Sequence, residues 1–515
     1  EAENCLPGTP QSVWDVSGAG DPTIQGFATQ MSVDRGETVH FKVKTDAAAY
    51  TVQIYRLGWY QGNGARLVAT VSPSAPLPQA QPACITDATG LVDCGSWSVS
   101  ASWPVPVSAT SGIYVARLVR QDTSGASHVV FVVRDDGGNS DVLFQTSDTT
   151  WQAYNTYGGN SLYTGNPPIG RAYRVSYNRP FTTRTITSGD SWLMNAEYPM
   201  VRWLESNGYD VYSFSGVDTH ARGGLLQDHR VFLSNGHDEY WSLAQRTNVE
   251  NARAAGVHLA FFSGNTMFWK TRFQPSVDGS GTPDRTLVCY KETHAGLPID
   301  PQDPPTWTGT WRDARFSPPA DGGRPENALM GTIFRMNGTF IDRVTVPQAD
   351  GRMRFWRNTS VALLPLGGVA TLAPGSIGDE VDLDWDNGFR PPGLVRLSTR
   401  PISSQSHFLL DEGSSYGAGS GDHHLTLYRH PSGALVFSAG SYQWAWGLDA
   451  AHDRPAVGPT TDLRMQQATV NLLADMGVQP ATLRPGLVAA TISSDGVAPV
   501  ASIDAPSAGA GFEVG

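Results

Sequence analysis

The hydrophobic pattern of this chain changes its period near residue 139, and that change constrains the fold more than any other feature. On the N-terminal side apolar residues alternate with polar ones: Val39, Phe41 and Val43 share one face, as do Tyr50, Val52 and Ile54. Further strand-type runs occupy 114–119 and 129–133, with clusters of Gly, Pro and Asp between them. Short strands with turn signals at this spacing predict an immunoglobulin-like (Ig-like) β-sandwich over residues 1–138. Asp135-Asp136-Gly137-Gly138-Asn139 reads as a linker.

Beyond the linker, 142–146 is an apolar run of buried-strand type. Residues 196–207 have helical spacing, with Met200, Trp203 and Leu204 on one face and Gly208 placed as a cap. Strand patterns at 209–214, 230–234 and 257–262 accompany a second helix over 241–255, which Gly256 ends. Strand alternating with helix predicts a parallel α/β domain whose first part covers 139–275. Residues 276–400 lose the helical period and are rich in Pro, Gly, Asp and Trp, which reads as a β-rich insertion. A buried strand at 434–439 and a helix at 460–476 then complete the α/β domain within 401–486. From 487 to 515 Ala, Ser, Pro and Asp dominate, as in a linker that opens a further repeat domain.

Composition narrows the function. Charged residues make up 16% of the chain and hydrophobic residues 40%, which fits neither a disordered chain nor a coiled coil. A formal net charge of −12 argues against a phosphate-binding surface, so no nucleic acid is expected. No run approaches the length of apolar sequence that spans a bilayer, so no membrane segment is expected. Cys84 and Cys94 flank a short polar loop that one disulfide could close, leaving Cys5 and Cys289 to pair. An even cysteine count, few lysines, much Gly, Ser and Thr, and a start at Glu1 like that of a processed chain point to a secreted protein.

In a parallel α/β sheet functional side chains sit after the carboxyl ends of the strands, which selects 147–163, 235–241 and 263–269. The densest cluster is Ser234-Asn235-Gly236-His237-Asp238-Glu239-Tyr240-Trp241-Ser242. Acids between a core strand and a helix are costly unless paired or active. The competing reading is that Asp238 or Glu239 only caps the next helix. Asp148 to Gly159, Arg174 to Pro180 and Ser263 to Lys270 hold the other polar and aromatic groups, each with a packing or turn reading beside the functional one. His423-His424 is a weak metal candidate. No nucleophile elbow, phosphate loop or dinucleotide fingerprint is present, and no cysteine occupies a strand-to-helix turn.

The motifs WQAYNTYGG, SYNRP, SNGHDEYW and SGNTMFWK, with YRHPSGALVFSAGSYQWAWGLD near the C-terminus, resemble the N,N-dimethylformamidase large (beta) subunit-like family. The resemblance implies a β-sandwich joined to an amidotransferase-like (flavodoxin-like) α/β domain. It also implies one ferric iron, Fe(III), held by two tyrosinates and a glutamate. The matching positions are Tyr154 and Tyr177 for the phenolates, with Tyr157 as fallback, and Glu239 for the carboxylate. His237 and Asn265 match nearby polar residues, and this chain reads His-Asp-Glu at 237–239 where the family usually reads His-Pro-Glu. Hard oxygen ligands suit a trivalent cation, which would activate water or polarise a carbonyl, giving metal-assisted amide hydrolysis.

Three functions follow as expectations. The first is a secreted amide hydrolase using Glu239, His237, Asn265 and Asp238, with Trp151, Tyr157, Trp241 and Trp269 against the substrate. The second is a secreted glycoside hydrolase acting on a polysaccharide, with Asp238 or Glu239 paired to another acid such as Asp148. The third is a non-catalytic glycan- or surface-binding protein. A homo-oligomer is admitted under each.

Overall fold

Residues that alternate along the N-terminal strands put their apolar side chains on one face, and two sheets close over them. In this computed structural model residues 1–494 are described, apart from 167–168, 187–188, 295, 304, 316–322, 339–340 and 455–460. One sheet contains Ile24–Ala28, Thr38–Thr45 and Ala101–Pro104; the other orders Ser32–Asp34, Ala126–Arg134, Gly112–Arg120, Tyr50–Leu57 and Ala65–Val71. Val39, Phe41 and Val43 from the first meet Tyr50, Val52, Ile54 and Phe131 from the second in one apolar cluster. Each such side chain withdrawn from water contributes roughly 1.5–3 kcal/mol. The Cys84–Cys94 disulfide closes its loop. The expected second bridge does not form: Cys5 is exposed, whereas Cys289 is buried in the core.

The second half is built on a seven-stranded sheet. Its parallel strands are β1 (Val142–Gln145), β2 (Val211–Phe214), β3 (Val231–His237), β4 (His258–Gly264) and β5 (Leu435–Ser438), in the spatial order β2-β1-β3-β4-β5. Two antiparallel strands, Thr426–Arg429 and Val395–Arg396, extend the β5 edge. Apolar runs with no alternation fit strands covered on both faces. Helices α1 (Asp148–Tyr154), α2 (Glu197–Ser206), α3 (Leu243–Ala254) and α4 (Leu463–Asp475) flank them. In α2, Met200, Trp203 and Leu204 are fully buried, as their spacing predicts. Thr460, the expected start of the last helix, lies outside the described residues, as does most of the C-terminal 487–515 segment.

The chain is therefore mixed α/β with many sheets and few helices. A four-stranded sheet joins Val381–Leu383 and Ile333–Met336 to the long hairpin Arg400–Leu409/Tyr416–His423. A second one joins Arg174–Ser176, Thr286–Val288, Trp269–Gln274 and Tyr240–Ser242. Both stand beside the carboxyl ends of the parallel strands. Among the described residues no helix is long and apolar enough to cross a membrane.

Buried charges tie the two halves together. Arg56, on Tyr50–Leu57, donates to both Glu205 oxygens at the end of α2, at 2.6 and 3.1 Å. Arg134 lies 3.5 Å from Asp218, and Ser32 Oγ donates to the same carboxylate at 2.6 Å. Removing one partner of a buried pair strands the other charge, so Glu205→Ala should destabilise the protein by about 3–5 kcal/mol in denaturant unfolding.

His423 gives a pH signature. It is fully buried, its Nε2 meets the Ala439 carbonyl at 2.9 Å, and burial pulls its pKa down from 6.5 to about 4. Between those values the unfolded chain binds a proton that the folded chain refuses, so stability falls as the pH drops from 6.5 toward 4. The slope from this residue is at most about 1.4 kcal/mol per pH unit, and His423→Gln should flatten the dependence of the thermal midpoint over that window.

Candidate active site

Strand β3 is buried along its whole length and delivers the His-Asp-Glu cluster at its end. Gly236 adopts φ 84°, a left-handed conformation that suits glycine and turns the chain out of the sheet. Beyond it Asp238 and Glu239 face opposite ways. The Asp238 carboxylate turns into the body, where it accepts from Gln145 Nε2 at 2.7 Å and Ser234 Oγ at 2.8 Å. Glu239 turns into a cavity of about 590 Å³. Neither acid caps the next helix: the N-cap of α3 is Ser242, in a reciprocal capping box with Gln245.

Glu239 is the centre of the cavity floor. Both its oxygens accept from the Tyr163 hydroxyl, at 2.7 and 2.8 Å. The Tyr154 ring stacks on Tyr163 at 4.3 Å, and its hydroxyl stands beside Tyr163 and Glu239. Burial, then the charge of Glu239, holds both phenols well above their usual pKa of 10. Glu239 itself is pushed up by burial and pulled back by His237.

His237 sits between the Tyr154 and Tyr442 rings, at 5.7 and 5.2 Å. Its Nε2 is 2.7 Å from Glu380 and 3.4 Å from Glu239, and Ser191 Oγ meets Nδ1 at 3.2 Å. Burial would lower the imidazole pKa, but Glu380, Glu239 and Asp190 overcome it and push it up to about 9. Asn265 donates from Nδ2 to Glu380 at 2.8 Å, while its Oδ1 has no partner. One of its two amide N–H groups is thus committed to Glu380, and Nδ2 also lies 3.4 Å from His237 Nε2. Asn265 takes φ 44°, and its backbone N–H is held by Asp382 at 2.8 Å. Lys291 caps the far side: its Nζ lies 3.4 Å from the Tyr163 ring centroid, and burial lowers its pKa to about 7.

Tyr154, His237, Glu239, Asn265 and Trp269 line this cavity together. Other expected residues lie elsewhere. Tyr177, expected beside Tyr154, leaves the short strand Arg174–Ser176 in the other direction; its hydroxyl donates to the buried Asp148 at 2.8 Å and its ring meets Arg285. Trp151 donates to Glu197 at 2.9 Å and packs on Trp192, below the floor. Trp241 is fully buried against Phe232 and Phe261. Tyr157 lines a separate hollow with Lys44 and Gln79 on the N-terminal unit. Asp148 accepts from Thr146 and the Gly216 N–H, and Asp238 is equally enclosed, so neither forms an acid pair with Glu239 in the cavity. His423 and His424 bond the Ala439 and Ser398 carbonyls.

Sequence reasoning missed Tyr163, Lys291, Arg171 and Glu380. Tyr163 stands at the edge of the 147–163 loop chosen by the strand-end rule. Glu380 precedes Val381–Leu383, and nothing in its local sequence marks it.

The family model described as "N,N-dimethylformamidase beta subunit-like, C-terminal" matches residues 51–456, and the chain belongs to that family. Among individual proteins, the N,N-dimethylformamidase beta subunit of Paracoccus aminophilus is 23% identical over 317 residues, covering 57% of this chain and 39% of the relative. The N,N-dimethylformamidase beta subunit of an Alcaligenes species is 24% identical over 181 residues, covering 34% of this chain and 23% of the relative. The match thus spans well under half the length of each relative. A solved family 123 glycoside hydrolase from Clostridium perfringens is matched at TM-score 0.11 and 9% identity over 48% of this chain and 72% of that one, too slight a likeness to carry an argument.

Backbone contact supports the floor. A Cβ on Gly264 would meet Ser441 Cα and Tyr442 N at 2.9 Å and the Glu380 carbonyl at 3.0 Å. Gly264→Ala should therefore cost about 1–3 kcal/mol in thermal unfolding and displace Glu380 from His237.

Proposed function

We propose that this chain is a hydrolase of amide C–N bonds acting in the Glu239 cavity. The observation that carries the reading is the convergence of two phenols, Tyr154 and Tyr163, on the Glu239 carboxylate within a family named for an amide hydrolase. Water adds across the amide: a C–O bond forms, the C–N bond breaks, and the leaving nitrogen takes a proton.

The donor set fits one Fe(III). Tyr154, Tyr163 and Glu239 supply three hard oxygens, which suit a hard trivalent cation. Among the described residues no group of three or more His, Cys, Asp and Glu is disposed to hold a metal, so a site here would depend on the phenols. Such an ion supplies a Lewis acid for the carbonyl and a lowered pKa for water. The chain's own residues do the rest. His237 is placed to pass a proton to the leaving nitrogen, Glu380 orients its Nε2, and Asn265 holds Glu380. Phe334, Trp269 and Tyr416 line the cavity walls and give a bound molecule apolar surface to pack on.

The strand order β2-β1-β3-β4-β5 is that of a flavodoxin-like sheet, and the facing sheets before it support an Ig-like unit. The Cys84–Cys94 disulfide supports a secreted protein. Polysaccharide cleavage through Asp238 has no support, because that carboxylate points away from the cavity.

Elemental analysis and the visible phenolate-to-iron band test the reading. Iron should bind in a one-to-one ratio. Tyr163→Phe and Glu239→Gln should weaken its retention in dialysis at least about 100-fold, as loss of an anionic ligand does. Tyr177→Phe should keep both metal and colour. Metal retained by Tyr163→Phe and lost from Tyr177→Phe would reverse the assignment.

A further inference from the structure

Two basic side chains stand on one wall of the cavity. Arg171, only 8% exposed, spends its guanidinium on carbonyls: Nη1 donates to Ala172 at 3.1 Å and Nη2 to Tyr290 at 2.8 Å. Lys291 is 2% exposed, with its Nζ over the Tyr163 ring and 4.9 Å from the Trp269 ring centroid. Among the described residues neither cation forms an ion pair with a carboxylate. Glu239 is the acid whose charge acts most on Lys291, and the other acids of the cavity are engaged elsewhere. Glu380 holds His237 and Asn265, and Asp190 and Asp379 share Arg454. The cavity therefore has a cationic pole beside Tyr163 and an anionic pole beyond His237, with Glu239 between them.

A buried, unpaired cation costs several kcal/mol unless a counter-charge arrives. The guanidinium fork is shaped for a carboxylate, and Lys291 adds a point charge beside it. At about 590 Å³ the cavity also admits far more than the smallest amides.

We propose that Arg171 and Lys291 form an anion subsite and that the substrates are amides carrying a carboxylate, such as an N-acyl amino acid or the monoamide of a dicarboxylic acid. This rests on the amide-hydrolase reading of the same cavity. The carboxylate docks at the cationic pole, which sets the amide over the Glu239 centre and leaves the other end of the molecule facing Glu380 and Asp190.

The test compares substrates of matched shape that differ in that charge: N-acetylglycine with N-isobutylacetamide, and succinamate with 4-methylpentanamide. In the metal-loaded protein kcat/KM should favour the anion at least about tenfold, the worth of one charged hydrogen bond. Arg171→Gln and Lys291→Gln should each cut that preference about tenfold through KM, and Arg171→Lys should restore part of it. Calorimetric binding of succinamate gives a readout independent of turnover, with Kd about tenfold weaker in Arg171→Gln. Equal turnover of charged and neutral amides by the natural protein overturns the proposal. So does unchanged succinamate binding in Arg171→Gln, or in Lys291→Gln should the arginine variant fail to fold. Absence of turnover on every amide would sink the hydrolase reading instead, and the binding comparison would then decide the subsite alone.

Discussion

The burial of the Glu239 carboxylate is the constraint that organises the surrounding structure. A carboxylate taken out of water must be given hydrogen bonds and a counter-charge or it takes up a proton. Here the Tyr163 hydroxyl spans both oxygens, Tyr154 closes on the same point, and the His237 imidazole stands 3.4 Å away. Yet that imidazole is held more closely by Glu380, at 2.7 Å. Two acids thus share one cation unequally: Glu380 is drawn below its usual pKa by His237 despite burial, while burial leaves Glu239 above its own. A hard cation among the three oxygens would remove that conflict, since it would favour the ionised form of every ligand.

The backbone around the cavity is held in conformations that non-glycine residues seldom adopt. Asn265, Met267, Lys291 and Asp379 all have φ between 44° and 56°. Such residues cost of order 1–3 kcal/mol each and persist where the surrounding structure over-determines them. The determinants are visible. Asp382 holds the Asn265 N–H, the Asp238 carbonyl holds the Met267 N–H, and Gln443 holds the Asp379 carboxylate. The Asp382 contact comes from the β-rich segment, 117 residues from Asn265, and the Gln443 contact from the stretch after β5, 64 residues from Asp379, so the strain at the cavity is supported partly by distant chain. Gly264 belongs to the same arrangement, because its lack of a side chain lets the 380 and 441–442 backbones close over the end of β4.

Much of this is legible in the amino-acid sequence. Alternation identified the paired strands of the first half, and unbroken apolar runs identified β1, β3, β4 and β5, because these patterns record burial on one face or two. The strand-end rule brought Tyr154, His237, Glu239 and Asn265 to one place. Two things escaped it. That Tyr163 rather than Tyr177 stands beside Glu239 depends on which way a three-residue strand presents its next side chain, and Arg174–Ser176 has no periodicity long enough to say. Glu380 was hidden because its position depends on the isolated bridge between Val381 and Ser441, a contact across sixty residues with no local signature. The expected Cys5–Cys289 bridge failed for a related reason: parity of count says nothing about the burial of each thiol.

The extra acid of the His-Asp-Glu motif has a physical explanation of the same kind. Asp238 and Glu239 are neighbours in sequence but face opposite sides of the chain as it leaves β3, so a change at 238 acts on the body rather than on the cavity. Burial pushes Asp238 up to about 7, and Ser234, Trp241 and Gln145 only partly offset it. One of its oxygens has no hydrogen-bond partner, which a charged carboxylate tolerates poorly and a protonated one can accommodate. Asp148 and Glu197, whose pKa values are also raised by burial, complete a layer of acids beneath the floor. An acid at 238 therefore changes the polarity of the support under Glu239 while leaving the charge presented to a bound molecule to Glu239, Glu380, Asp190 and Asp379.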